Sequence, residues 1–165
     1  MSAFAGIVDG DDLFKEICGR YLGEGSNRIV YEHNSDPLRI VKVGKMRPHI
    51  SNLTEWIIWL QVSNQPKLNQ VFGECFALSA SGRFLIMEKL VDLSPAQRAS
   101  AQTPVWATDP KPSALGATQA GVIKVRDYGH VSLGPTLANP PLQSFKPDPD
   151  MGNWKNIIEK GGLED

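Results

Sequence analysis

Lys42 closes the alternating run Leu38, Ile40, Lys42, which puts its ammonium on the same strand face as two aliphatic side chains. An inward-facing lysine needs a counter-charge, because burying an unpaired ammonium is costly. Glu55, in the helical segment that follows, is the available carboxylate. Two other readings stay open: Lys42 can snorkel from a sheet edge, and Glu55 can close a capping box with Asn52. Upstream, Gly23-Glu24-Gly25 leads towards Val30 across a hairpin. Glycines there let a backbone approach anionic oxygens where a Cβ would obstruct, although the same residues also suit an ordinary β-turn. No Gly-Lys-Ser/Thr follows, so this is not a Walker-type loop. Further on, Asp109 and Lys111 flank a proline, and Asp127 opens Asp127-Tyr128-Gly129 after an apolar run.

The elements that must position these residues can be read from periodicity and turn chemistry. Asp11 or Asp12 caps a short helix through Leu13, Phe14 and Ile17, which Gly19 ends. Strands are expected at Arg20–Leu22, Ile29–Tyr31 and Leu38–Val43, with a polar turn at Asn34–Pro37. From Pro48 to Gln61 the period changes: Leu53, Trp56, Ile57 and Leu60 form a helical stripe, with Ser51 or Asn52 as N-cap. Phe72–Leu78 and Arg83–Met87 read as a hairpin around Ser79–Gly82. Ser94 and Pro95 start a short helix towards Thr103, Pro104–Gly116 reads as loop, and Val122–Val125 as a strand. Gly134–Asp150 holds five prolines and reads as irregular, and Asn153–Lys160 as a last short helix. This is an α+β order of three strands, one helix and two strands. Residues 1–134 form the domain, and 135–165 a Pro-rich tail with a short terminal helix.

Composition narrows the function classes. The chain has 165 residues, 41% of them hydrophobic and 21% charged, enough for one domain with a real core. A net charge of -1 without a Lys/Arg run gives no support for binding a nucleic-acid backbone. No apolar run approaches a membrane span of ~20 residues, and Met1–Asp12 is acidic, so the expected place is the cytoplasm. Cys18 and Cys75 lack metal-ligand spacing and read as small buried hydrophobes, while His33, His49 and His130 are isolated.

From Arg20 to Gly129 the chain resembles the protein-kinase-like fold, and it looks most like the very small kinase-like proteins encoded by bacterial viruses. The resemblance implies a small lobe of five antiparallel strands and one helix, then a catalytic-loop and Asp-Tyr-Gly hairpin, then a severely truncated large lobe. It implies ATP and magnesium as cofactors, with Gly23, Gly25 and Val30 over the phosphates and Lys42 paired to Glu55 beside them. Glu88, in Gly82-Arg83-Phe84-Leu85-Ile86-Met87-Glu88, would open the hinge, with Met87 near the gatekeeper and Glu88–Leu90 offering backbone groups to adenine. Asp109 would accept the substrate proton, Lys111 would steady the phosphoryl group, and Asp127 would hold the metal.

The departures are as specific as the match. Arg28 replaces the third glycine, Ile40 the usual small alanine, Ala107-Thr108 the His-Arg pair, and Ala114 the metal-binding asparagine. Too few residues follow Gly129 for a helical large lobe, so Asp109 and Asp127 would be thinly supported, whereas phosphoryl transfer depends on positioning. The expected function is a degenerate, pseudokinase-type protein that binds and modulates another protein, a bacterial host enzyme being the implied target. The alternative is a minimal Ser/Thr kinase. A third reading is an unrelated small α+β domain in which the motifs arose by chance.

Overall fold

Polar turns separate β-branched runs along the first ninety residues, and the main sheet forms from those runs. The structure, a computed structural model, describes residues 6–8, 10–105, 111–129 and 142–146. The chain begins with β1 (Gly6–Val8) and α1 (Asp11–Glu16), then β2 (Cys18–Glu24), β3 (Arg28–His33) and β4 (Arg39–Gly44). α2 (Ile50–Val62) crosses to a hairpin of β5 (Cys75–Ser79) and β6 (Phe84–Glu88). The sheet order is β1-β5-β6-β4-β3-β2. The five expected strands pair antiparallel, and β1 adds a sixth, parallel to β5, that was not anticipated.

Both faces of this sheet are covered, which explains why β4 and β6 read as nearly unbroken apolar runs. On one face Val41, Val43, Phe84 and Ile86 pack under α1, with Phe14 stacked on Phe84 at 5.7 Å between ring centroids. On the other, Ile40, Leu85 and Met87 pack with Trp56, Ile58 and Val62 of α2. The polar turn between β3 and β4 forms as expected, the Asp36 carboxylate accepting from the Leu38 amide at 3.0 Å. Gly82 closes the β5–β6 hairpin at φ 74, a conformation few other residues adopt.

Helix caps and faces differ from the sequence expectation. α1 is preceded by Gly10 rather than capped by an aspartate side chain. α2 starts one residue after His49, so neither Ser51 nor Asn52 caps it. The stripe expected to face the core is largely outward: Leu53, Ile57 and Leu60 are exposed, and only Trp56 is buried. The inward side is instead Asn52, Glu55, Trp56, Ile58 and Val62. Polar bonds set that rotation. Asn52 Nδ2 donates to the carbonyls of Lys42, Gly82 and Arg83, and Glu55 is held by cations below the sheet.

The remaining described residues pack against the α2 side. α3 (Pro95–Ser100) has the Ser94 cap and Pro95 start read from sequence, completed by the Ser94 amide donating to Gln97 Oε1. β7 (Gln102–Pro104) pairs with β10 (Leu142–Ser144), and β8 (Leu115–Ala117) with β9 (Ile123–Val125). Part of the expected 104–116 loop is thus a short 3-10 turn, Pro112–Ala114, followed by a strand. The proline-rich stretch also contributes a strand, in the proline-free interval before Phe145, whose ring is buried in the main core. Residues 142–146 therefore belong to the body of the domain. The expected terminal helix at 153–160 lies outside the described residues. Among the described residues, no helix is long and apolar enough to cross a membrane.

Candidate functional site

Four charges from four separate segments meet beneath β3 and β4. Val30 and Lys42 are register partners, as are Arg28 and Gly44, so Arg28 and Lys42 project on one face two residues apart in the pleat. α2 brings Glu55 to that face, and the strand-to-turn step after β9 brings Asp127. Lys42 Nζ donates to both Glu55 oxygens at 2.9 Å and to the Arg126 carbonyl at 2.6 Å. Arg28 Nη1 donates to Glu55 Oε2 at 2.6 Å, and Nη2 to Asp127 Oδ1 at 2.6 Å. The Tyr128 amide donates to Glu55 Oε1 at 3.1 Å. Glu55 is 0% exposed and Lys42 5%, so these bonds form inside the protein.

Both readings of Lys42 and Glu55 that competed with a direct pair are therefore excluded. Lys42 does not snorkel, and the carboxylate of Glu55 takes its bonds from Lys42, Arg28 and Tyr128 rather than closing a box with Asn52. The electrostatics follow from the geometry. Burial is the largest influence on Lys42 and leaves its pKa below the usual lysine value, although Glu55 pulls the other way. Burial also opposes the charge on Arg28, yet Glu55 and then Asp127 hold its pKa above the usual arginine value. Burial, with the Glu55 carboxylate next, pushes the Cys75 thiol up to about 12.

The cluster is self-neutralised. Two cations (Arg28, Lys42) face two carboxylates (Glu55, Asp127), a net charge of zero. Lys42 has three ammonium protons and three bonds, and Glu55 accepts four bonds on two oxygens, so neither has capacity left for a ligand. The implied ATP and magnesium do not fit this arrangement. Asp127, the carboxylate expected to hold a metal, is bridged to Glu55 by Arg28, and no Lys42 proton is free for a phosphate. The base side is also filled: Val30, Ile40 and Met87 pack in one cluster with Leu115, Ala117 and Phe145.

In the segment expected to act as a hinge, Glu88–Leu90, several groups are bonded within the protein. The Glu88 amide donates to the Glu74 carbonyl, and its carboxylate pairs with Lys124 at 2.8 Å. The Leu90 carbonyl accepts from Arg126 Nη1 at 3.2 Å. Arg126 also donates Nε to the Ser113 carbonyl at 2.7 Å, tying hinge to turn. Ala114, which replaces the metal-binding asparagine of the kinase pattern, works through its backbone: its carbonyl accepts from the amides of Arg126 and Asp127. Lys111 precedes the 3-10 turn, and Asp109 lies outside the described residues. Gly23 pairs with Val30, while the Gly25 amide bonds the Arg28 carbonyl. A Cβ at either glycine would meet nothing within 4 Å, so the fold itself does not require them.

The other residues of the Asp-Tyr-Gly turn have structural reasons. Tyr128 Oη donates to the Gly73 carbonyl at 2.8 Å and lies 3.1 Å from Cys75 Sγ, with its ring edge-on to Phe72. A Cβ on Gly129 would sit 2.9 Å from the Ser51 carbonyl oxygen, so α2 can approach this turn only if residue 129 is glycine. Sequence reasoning missed Arg28 and Arg126 as members of the site. Arg28 was detectable: it lies in phase with Val30, opposite the face partner of Lys42. The Arg126 contribution is a carbonyl, which no side-chain pattern reports. No known protein family matches the chain, and no curated protein is similar to it in sequence.

Proposed function

We propose that this protein is a degenerate kinase-like protein that works by binding another protein rather than by phosphoryl transfer. The carrying observation is the Arg28 bridge, 2.6 Å from Glu55 and 2.6 Å from Asp127, where a nucleotide-bound metal would need the Asp127 carboxylate. A site without net charge, in which all three Lys42 protons are already bonded, attracts a polyanionic nucleotide weakly. Its four charges instead act as an internal brace that keeps α2 fixed on the sheet. Fixing α2 presents Ile50, Leu53, Ile57 and Leu60, 37–60% exposed and spaced three, four and three residues apart. That spacing is the seam a helix uses against another helix, so the partner chemistry is an apolar helix of a second protein. A viral source and a bacterial host target follow from the family resemblance alone.

The test has two arms. Mg-ATP should leave the melting temperature unchanged, whereas a ligand at ~100 times its dissociation constant would add about 2.7 kcal/mol of stability. In the second arm, protein retained from a bacterial lysate by the wild type should be lost with Ile57→Asp/Leu60→Asp. Retention unaffected by that change removes the α2 surface from the proposal.

A minimal Ser/Thr kinase is the second reading. It is favoured by the intact Lys42–Glu55 pair and by two hairpin glycines that the fold does not need. It requires Arg28 to release Asp127. Stabilisation of the wild type by Mg-ATP, with radiolabel transfer abolished in Asp109→Asn, would establish it in place of the first.

A further inference from the structure

A second candidate site adjoins the charge cluster, at the start of α2, where the apolar Met46, Pro48 and Ile50 share the wall with polar residues. There a cavity of about 210 Å³ is bordered by Asn27, Gly44, Arg47, His49, Ser51 and Asn52, and by Arg28 from the cluster side. No acidic residue lines it. α2 has thirteen residues, no side-chain cap and no acidic residue in its first turn. The Leu53 amide bonds the His49 carbonyl and the Ile50 amide the Pro48 carbonyl, but the amides of Ser51 and Asn52 have no partner among the described residues. A helix start left this way carries partial positive charge and donors that point outward along the axis.

His49 supplies an independent indication. It occupies the N-cap, where Ser, Thr, Asp or Asn would ordinarily accept an amide bond. The residue lines the cavity and is 7% exposed, and neither ring nitrogen has a hydrogen-bond partner. Leaving a buried polar group unpaired costs about 1–3 kcal/mol, which a bound group would recover. The ring is held there by contact: a Cβ on Gly44 would fall 2.4 Å from Nδ1. Burial holds the imidazole pKa below the usual histidine value, reinforced by Arg47 and Arg83 and opposed by Asp11 and the nearby Met46 backbone, which lies outside hydrogen-bonding geometry. Asp11, the one acid acting on the ring, is itself bonded to Ser81 Oγ at 2.6 Å.

We propose that this cavity is a binding site for a phosphate-class oxyanion, a phosphomonoester or inorganic phosphate, held by the Ser51 and Asn52 amides, the His49 ring and the Arg47 guanidinium. Amides at a helix start and a guanidinium are the donors such an anion selects. Asn52 Oδ1 is buried and unpaired, its orientation fixed because Nδ2 serves three carbonyls. The site shares Arg28 with the Lys42 cluster as a wall, but the donors assigned here lie outside that cluster.

The test is amide-resolved NMR of the full chain, titrated with inorganic phosphate and, separately, a phosphoserine tetrapeptide, against chloride at matched ionic strength. Saturable shifts are expected at the Ser51 and Asn52 amides and the His49 ring, with a dissociation constant on the order of 1 mM or tighter. Arg47→Ala, which alters an exposed side chain, should weaken binding about tenfold while leaving the folded spectrum intact. Peptide binding at least tenfold tighter than phosphate identifies a modified side chain as the source, and equal binding identifies free phosphate. Shifts that fail to saturate, that spread over other basic residues, or that are unchanged by Arg47→Ala overturn the proposal.

Discussion

Replacing Glu55 with glutamine tests whether the four-charge cluster is balanced in the way its geometry implies. The substitution keeps side-chain volume but removes one of two negative charges, so a buried set of net zero becomes net +1. It also turns an amide NH₂ towards groups that are themselves donors, Lys42 and the Tyr128 amide on one side or Arg28 on the other. Because Glu55 is 0% exposed, solvent cannot relieve the imbalance. Breaking a buried ion pair by altering one partner costs about 3–5 kcal/mol. For a chain of this size each kcal/mol moves the melting temperature by about 2–4 °C, so Glu55→Gln should melt roughly 6–20 °C below wild type. Calorimetry and urea titration measure it. A second substitution sharpens the test. Arg28→Met alone leaves net -1, but combined with Glu55→Gln it leaves Lys42 and Asp127 at net zero. The double variant should therefore lose less than the two singles together, with a coupling of about 0.5–3 kcal/mol. A Glu55→Gln protein within about 1 kcal/mol of wild type, or strict additivity in the double, would refute the charge-balance reasoning.

Tyr128→Phe removes the donor to the Gly73 carbonyl and should cost about 1–3 kcal/mol in urea unfolding; no loss would mean that carbonyl finds another donor. Gly129→Ala places a carbon against the rigid start of α2 and should cost about 1–3 kcal/mol, measured the same way, with an unchanged midpoint counting against the close approach. Hydrogen bonds from Arg20, then Lys89, hold the Glu32 carboxyl down at about 2. Because the folded value is depressed, its contribution is present above the ordinary value near 4.5 and fades as pH falls towards 2. The stability gap between wild type and Glu32→Gln should accordingly close over that window, and a gap independent of pH would exclude the linkage.

Much of the fold was legible because apolar alternation and turn chemistry coincide: the Asp36 turn, the Gly82 hairpin and the Ser94 cap all lie where their residues demand. The site was legible in its members but not in its state. Lys42 and Glu55 were found by type and spacing, and Asp127 by the kinase-like resemblance. What Arg28 does with them depends on a contact across ninety-nine residues of sequence, which no local pattern contains. The orientation of α2 was misread for a related reason. Leu53, Ile57 and Leu60 form a clean stripe, yet buried bonds of Asn52 and Glu55 turn the opposite side inward. β1 and β10 are too short for alternation to show, and each exists because a neighbouring strand supplies the pairing.

The Arg28–Asp127 contact has a consequence for the order in which the molecule can assemble. The sheet and α2 are complete by residue 88, but at that point Arg28 and Lys42 outnumber Glu55, and closing the layer would trap a surplus cation. Only when the segment carrying Asp127 arrives does neutrality allow the interior to dry. The first half of the chain should thus wait, loosely collapsed, for the second: a fragment ending at residue 105 should show poor amide protection in β3, β4 and α2, and strong protection there would exclude this sequence of events.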